Sequence, residues 1–509
     1  MLDRFGGREC KHILLVAVLL LSWGLMTCQL DRRSLWVDEF ATLQMIRGSP
    51  SEVVAASLAD VHPPLYFVIM NWWVGLFGSS DFALRLFSVA CAMLGLSLMP
   101  GVASRLAGPR AALPAAFLLG IAPAFLEFSQ MARYYAMVLA LGLLSTKLLL
   151  DALDQRNWRC WLTYALAGLA LVYTFYLGGL LIVAHVLLIL LHERPRDVLG
   201  RWLVSAILIG LGASLQFVLV AGRQMSGLAA TLGADLSRSP IGFVLGLAAT
   251  LYTFAVGETL FPWQPAAWAG GVAACALLVA SLARRSGRAI WRSLGLLVIG
   301  MLLASLAITF IAADKPFLMI PVRVLFLLPY YVVCLALGLL TFSLRWRVIV
   351  MAVLLCSWSV SIYNNFVDRE PLNPIYFTPA KEAAAFVRHS VMPDDLIISD
   401  LDSVFGHYYL GGEVVGQHRY TRQVDEIRSV LQSSLPERVW LVTIGRDRIQ
   451  QISSANEVRQ LLRAGYRLER TQGYLPIDAT YQKIKTALLK RRSYQYRLTI
   501  ELYVRVGGR

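Results

Sequence analysis

Apolar runs of near-bilayer length recur along most of the first 360 residues, and nothing constrains this chain more. Residues 13–28, 162–176 and 295–312 are three of them, each close to the roughly 17–25 residues that cross a bilayer as an α-helix. In lipid every backbone N–H and C=O must be satisfied inside the protein, so such runs fold as helices. With 57% hydrophobic and only 16% charged residues, the chain also lies far from the soluble average of about 45–50% apolar and about 25% charged. A soluble enzyme is excluded, and the fold class is an α-helical polytopic membrane protein.

The pattern changes near residue 364. From there to the C-terminus the apolar runs shorten and charge becomes dense, with 21 Lys+Arg against 16 Asp+Glu. We read residues 1–363 as a membrane domain and 364–509 as a soluble α/β domain. Its predicted elements are helices at 379–390 and 456–464 and strands at 396–399, 439–444 and 494–506. It has no Gly-rich phosphate loop and no nucleophile elbow, which points to acceptor recognition or a structural part. The run Lys490-Arg491-Arg492 reads as a solvated face, with contact to anionic headgroups as the alternative. All seven cysteines precede residue 364 without CxxC or Cys/His metal spacing, so they read as membrane filler. The basic N-terminus and Leu25-Met26-Thr27-Cys28 imitate a lipoprotein signal poorly, with Thr before the Cys, and no cleavage is expected.

Basic residues in short loops mark the cytoplasmic side. Loops 105–110, 156–159, 192–201, 284–292 and 345–347 are basic, as is the N-terminus with Arg4, Arg8 and Lys11. Placing all of them on one side leaves about eleven transmembrane helices, at 12–30, 83–104, 111–127, 133–150, 160–176, 178–191, 202–222, 266–283, 290–312, 323–343 and 347–363. The stretches 65–78 and 241–261 would break the parity, so they are expected as outer juxtamembrane or re-entrant helices. An odd count with the N-terminus in the cytoplasm puts 364–509 outside the cytoplasmic (inner) membrane, on the side of the large loops 31–82 and 223–265.

The chemistry-bearing residues gather in those outer loops. Directly after the first span comes Leu35-Trp36-Val37-Asp38-Glu39-Phe40, two adjacent carboxylates at a membrane boundary, where ionisable groups usually have a function. The plain alternative is that Asp and Glu simply favour a first helical turn. The same loop continues with Asp60-Val61-His62-Pro63-Pro64-Leu65-Tyr66-Phe67, then Trp72-Trp73-Val74-Gly75-Leu76-Phe77-Gly78 and Ala83-Leu84-Arg85. Further along stand Gln130-Met131-Ala132-Arg133-Tyr134-Tyr135 and Pro321-Val322-Arg323-Val324-Leu325.

This order resembles the GT-C membrane glycosyltransferases, in particular the bacterial relatives of protein O-mannosyltransferases and of the lipid A aminoarabinose transferase. The resemblance covers about residues 10–360 and is most specific in the first 140. It implies transfer of one hexose or pentose from a polyprenyl-phosphate donor to a lipid, glycan or protein acceptor on the outer side, with inversion. By the resemblance Asp38 is the general base, and Glu39 orients the acceptor or binds a cation. Arg323 and Lys315 are the candidate phosphate-binding cations, against the alternative of boundary cations that snorkel. Arg133 with Tyr134 is a candidate donor contact, or Arg133 pairs with Glu127. Where the aminoarabinose transferases carry an aspartate near this position, this chain has none. The acid that supplements Asp38 therefore stays open, with Glu127 as the candidate. His62 reads as a structural or hydrogen-bonding group, and Arg85 as a partner for Asp38 or Glu39. No cofactor is called for, metal use is undetermined with a divalent cation as the candidate, and no nucleic acid partner is implied. The rival class is a polytopic transporter or flippase of a lipid-linked sugar, whose site would lie near the bilayer midplane, where these spans carry almost no charge.

Overall fold

The computed structural model describes residues 7–60, 62–155, 157–193, 195–231, 240–283, 287–311, 321–369, 372–399, 408–410, 418–421, 423–444, 449–474 and 498–506. Lys315 and the run 490–492 lie outside the described residues. The chain divides into two compact units. One comprises residues 1–31 and 41–365, the other residues 32–40 and 366–509. The short segment ahead of and including the Asp38-Glu39 pair thus belongs with the C-terminal domain.

The membrane unit is helical throughout. It contains α1 (Gly7–Thr27), most of α2 (Val37–Met45), then α3 (Pro50–Ala59), α4 (Leu65–Phe77) and the long α5 (Asp81–Ala107). Next come α6 (Ala112–Ile121) and α7 (Pro123–Ser129), one apolar run bent by 56°. Pro123 causes the break: the residue before a proline is pushed out of the helical region, and Ala122 has ψ 126°. There follow α8 (Tyr135–Gln155), α9 (Trp158–Thr174), α10 (Gly179–Ala184) and α11 (Val186–Leu190), α12 (Pro195–Thr231), α13 (Pro240–Val256), α14 (Pro265–Leu282) and α15 (Gly287–Ile311). A 3₁₀ turn, Pro321–Leu327, leads into α16 (Leu328–Leu339), and α17 (Leu344–Phe366) closes the unit.

Among the described residues seven helices are long and apolar enough to cross a membrane, eight if the bent pair is one span. Each has a counterpart among the predicted spans. The other three predictions fall on α9, on the interrupted segment Tyr176–Leu190 and on α15. The stretch 65–78 is the helix α4 with the glycine after it, and 241–261 is α13 without its first residue, together with the turn after it. The segment Pro321–Leu339 is the centre of the unit, with 94% of its apolar window buried against 17% for α1 and 22% for α17. Exposed apolar side chains such as Ile13, Leu20 and Val348 suit peripheral helices that face lipid. At the centre the backbones nearly touch: a Cβ on Gly338 would sit 1.8 Å from the Leu277 carbonyl oxygen, so only glycine lets α14 and α16 approach this closely.

The second unit has a five-stranded mixed sheet of order β2-β1-β3-β5-β4, formed by β1 (Leu396–Ser399), β2 (His418–Tyr420), β3 (Arg438–Ile444), β4 (Tyr466–Tyr474) and β5 (Leu498–Arg505). β1 runs parallel to β2 and β3, whereas β5 is antiparallel to β3 and β4. Helices α18 (Ala380–Ser390), α19 (Val424–Ser433) and α20 (Ile449–Arg463) complete the α/β domain. Ile427, Val458 and Leu462 pack on Leu396, Ile398, Val439, Leu441 and Tyr503 to form its core.

Candidate active site

Asp38 and Glu39 occupy the second and third positions of α2, where the first-turn N–H groups lack intrahelical acceptors and carboxylates are favoured. Glu39 is fully buried. Its Oε2 accepts the backbone N–H of Trp36 at 3.1 Å, the reach-back half of a capping box. Asp38, one residue earlier, points elsewhere around the helix and is half-buried. The two adjacent carboxylates therefore differ in setting: Glu39 is fully buried and caps the start of the helix, and Asp38 is half-buried.

In the membrane unit a polar chain runs from Asp60 through His62 to Arg133. His62 Nδ1 lies 3.1 Å from Asp60 Oδ2, and its Nε2 lies 3.0 Å from Arg133 Nη2. Guanidinium can only donate, so Nε2 must accept and the imidazole proton sits on Nδ1, directed at Asp60. Arg133 is 2% exposed, and its Nη1 donates to Thr42 Oγ1 at 3.1 Å. Its guanidinium lies 4.9 Å from the Tyr134 ring centre, and that ring stacks on Phe175 at 4.8 Å. His62 thus lies between Asp60 and Arg133 and is within hydrogen-bond distance of both.

Two further motif residues donate to carbonyls at and just beyond the end of α1, whose last carbonyls lack intrahelical donors. Gln130 Nε2 donates to the Met26 carbonyl at 2.9 Å, and Arg85 Nη1 to the Leu30 carbonyl at 2.9 Å. Arg85 is 5% exposed, so its place is inside the protein and not at an open boundary.

Arg323 sits on the Pro321–Leu327 turn, which leaves helical geometry at Val324 (φ −111°, ψ 18°). Its neighbours Val322, Val324 and Leu325 are buried, while Arg323 is half-buried. The turn packs against α7, α8 and α13. α7 carries the buried Glu127, and the chain leaving α13 carries a second buried carboxylate, Glu258. Gly257, at φ 87°, holds that exit. A Cβ there would meet Ser361 Oγ at 2.5 Å and Pro123 at 2.7 Å, so Glu258 leaves α13 beside the start of α7. Sequence reasoning missed Glu258 because residues 223–265 read as one outer loop. The available signal was a lone acid inside the apolar stretch 240–261. Among the described residues no three His, Cys, Asp or Glu side chains converge as a metal site.

A second missed feature is a closed polar network inside the membrane unit. Thr146 Oγ1 lies 2.9 Å from the Gly142 carbonyl, 3.0 Å from His185 Nε2 and 2.5 Å from the Tyr330 hydroxyl. The Tyr164 hydroxyl is 3.2 Å from His185 Nδ1 and accepts from Trp202 Nε1 at 3.3 Å. One assignment satisfies every donor: Tyr164 donates to Nδ1, Nε2–H and Tyr330 donate to Thr146, and Thr146 donates to Gly142. A neutral imidazole is the form that fits, which is how a fully buried polar group avoids a desolvation penalty.

Residues 61–221 match the sequence profile of the dolichyl-phosphate-mannose-protein mannosyltransferase family. No curated protein matches the chain. ArnT from Cupriavidus metallidurans in the apo state superposes with a TM-score of 0.55 at 15% identity, covering 96% of this chain and 97% of that one. The fold is similar to that of this ArnT. The same ArnT bound to undecaprenyl phosphate gives 0.55 at 14% identity, over 97% and 98% of the two chains. The oligosaccharyltransferase of Archaeoglobus fulgidus, in complex with Zn and sulfate, gives 0.45 at 12% identity, over 84% and 68%. The chain's long apolar helices make it a multi-pass membrane protein, and the profile match lies on the part that carries His62, Arg85, Glu127, Arg133 and Tyr134.

Proposed function

We propose that the protein is a glycosyltransferase that moves a single hexose or pentose from a polyprenyl-phosphate donor to a hydroxyl of a lipid, glycan or protein acceptor, on the outer side of the cytoplasmic membrane. The observation that carries this reading is the division of labour at the start of α2, with Glu39 turned back onto Trp36 N–H and Asp38 half-buried beside it. The GT-C fold, the mannosyltransferase profile over 61–221 and the undecaprenyl phosphate bound by the ArnT of similar fold support the donor class.

Asp38 takes the proton of the acceptor hydroxyl as its oxygen attacks the anomeric carbon. The new C–O bond forms as the bond from the anomeric carbon to the phosphate oxygen breaks, and the lipid phosphate leaves with the bonding pair. Direct displacement of this kind inverts the anomeric centre. The leaving phosphate gains negative charge, which Arg323, fixed on its 3₁₀ turn, stabilises as a preorganised cation. Lys315 is the second candidate for that duty, and Arg133 and Tyr134 are candidates for contact with the donor.

The test is transfer by purified protein in nanodiscs, supplied with a polyprenyl-phosphate sugar. Asp38→Asn keeps the side-chain shape and removes its basicity, and transfer should fall by about 10²–10⁴, the usual contribution of a general base. Activity above about a third of wild type in Asp38→Asn, with unchanged folding, removes Asp38 from the base role.

A further inference from the structure

We propose that the C-terminal domain acts as a clamp that positions the carboxylate pair, with Asp368 and Tyr409 as its positioning residues. The inference rests on the reading of Asp38 as the base. Residues 32–40 belong to the same compact unit as residues 366–509, and the contacts are specific at almost every step. Arg32 and Arg33 both donate to the Asp368 carboxylate. The Arg33 guanidinium also lies 4.1 Å from the Phe377 ring centre. Ser34 Oγ accepts the Lys381 backbone N–H at 2.8 Å, and the Leu35 N–H donates to the Tyr409 hydroxyl at 2.7 Å. The Trp36 ring meets Tyr376 edge-on at 4.8 Å, and Phe40 meets Tyr409 at 5.8 Å. Asp38 and Glu39 lie between Trp36 and Phe40, so both flanks of the pair are held by the C-terminal domain.

Asp368 carries a further sign of being fixed in place. It follows α17 at φ 54°, the left-handed region that usually takes glycine or asparagine at a helix C-terminus. An aspartate tolerates that conformation, and here its carboxylate is turned onto two arginines 335 and 336 residues away in sequence. The Asp368 and Arg32 side chains are 36% and 39% exposed, so solvent screens the pair and it adds little to global stability. Its effect is local order in the segment before the base.

Asp368→Asn tests this directly, because Asn accepts the left-handed conformation while losing the charge, and Tyr409→Phe removes only the hydroxyl that accepts from Leu35. Hydrogen exchange of a peptide spanning residues 32–41, followed by mass spectrometry in nanodiscs, reads the clamp without reference to activity. We expect faster exchange there in both variants. Transfer kinetics with a polyprenyl-phosphate sugar should then show kcat lower by about 10- to 100-fold, as for a misplaced catalytic group, with the donor KM unchanged. Unchanged exchange in both variants overturns the clamp. Faster exchange with wild-type kcat overturns its positioning role. Faster exchange in a protein whose wild type transfers no sugar leaves the clamp standing and overturns the glycosyltransferase reading instead.

Discussion

At the scale of single residues, the sequence motifs single out candidate groups, and the structure adds which atoms each of them contacts. Glu39→Gln keeps an acceptor for the Trp36 N–H, so transfer should stay within about threefold of wild type. Glu39→Ala leaves that buried N–H unmade, at a cost of about 1–3 kcal/mol, and should lower the melting temperature in nanodiscs as well as activity. Equal loss in both variants would give Glu39 a chemical role of its own. Arg323→Ala should reduce turnover at saturating donor by about 10²–10³, the range for loss of one preorganised group, and near wild-type turnover would return Arg323 to a boundary cation. Asp38, Glu39, Arg133 and His62 were legible because they stand in ordered motifs. The Arg133–His62 hydrogen bond was not, since nothing local encodes a contact across 71 residues. Arg85 and Gln130 were legible as polar groups at span ends, but their duty as donors to the carbonyls near the end of α1 depends on three-dimensional packing.

At the scale of elements, the membrane helices were readable from length and apolarity, while their breaks were not. The 3₁₀ turn ahead of α16 and the interruption at His185 each fall in a largely apolar segment, where averaged hydropathy carries little signal of a break. In the C-terminal domain β1, β3 and β5 were found because they are buried or alternate in burial. β4 was missed because it is an edge strand with most residues exposed and only Tyr466 buried, and β2 because it spans three residues. The junction most sensitive to change is Gly257, where α13, α7 and α17 meet. Its φ of 87° disfavours any L side chain, and a methyl group there would press on Pro123 and Ser361. Gly257→Ala should therefore destabilise the protein by about 1–3 kcal/mol through strain and overpacking. It should also lower transfer through displacement of Glu258 and α7, and a melting temperature and turnover equal to wild type would show that this junction has slack.

At the scale of the whole molecule, one compact unit sets a condition on topology that the helices alone do not. Residues 32–40 and 366–509 pack together, and a unit with a single folded core cannot have lipid between its parts. The segment after α1 and the domain after α17 must then share one side of the membrane, which requires an even number of crossings between them. Ten of the eleven predicted spans lie in that interval, so the count satisfies the condition. Turning either α4 or α13 alone into a crossing would violate it. Which side that is follows from the basic short loops, expected in the cytoplasm. Reporter fusions after Gly48 and Arg419 should both report the outer side, and fusions after Pro109 and Arg196 the cytoplasm. Opposite signals from Gly48 and Arg419 would contradict the shared unit itself, whereas the same but cytoplasmic signal from both would keep the unit and invert the orientation. An outer signal at Arg196 with the other three as expected would leave an unpaired crossing between Pro109 and Arg196, and the segment Tyr176–Leu190, interrupted at His185, is the one whose passage through the membrane would then be in question.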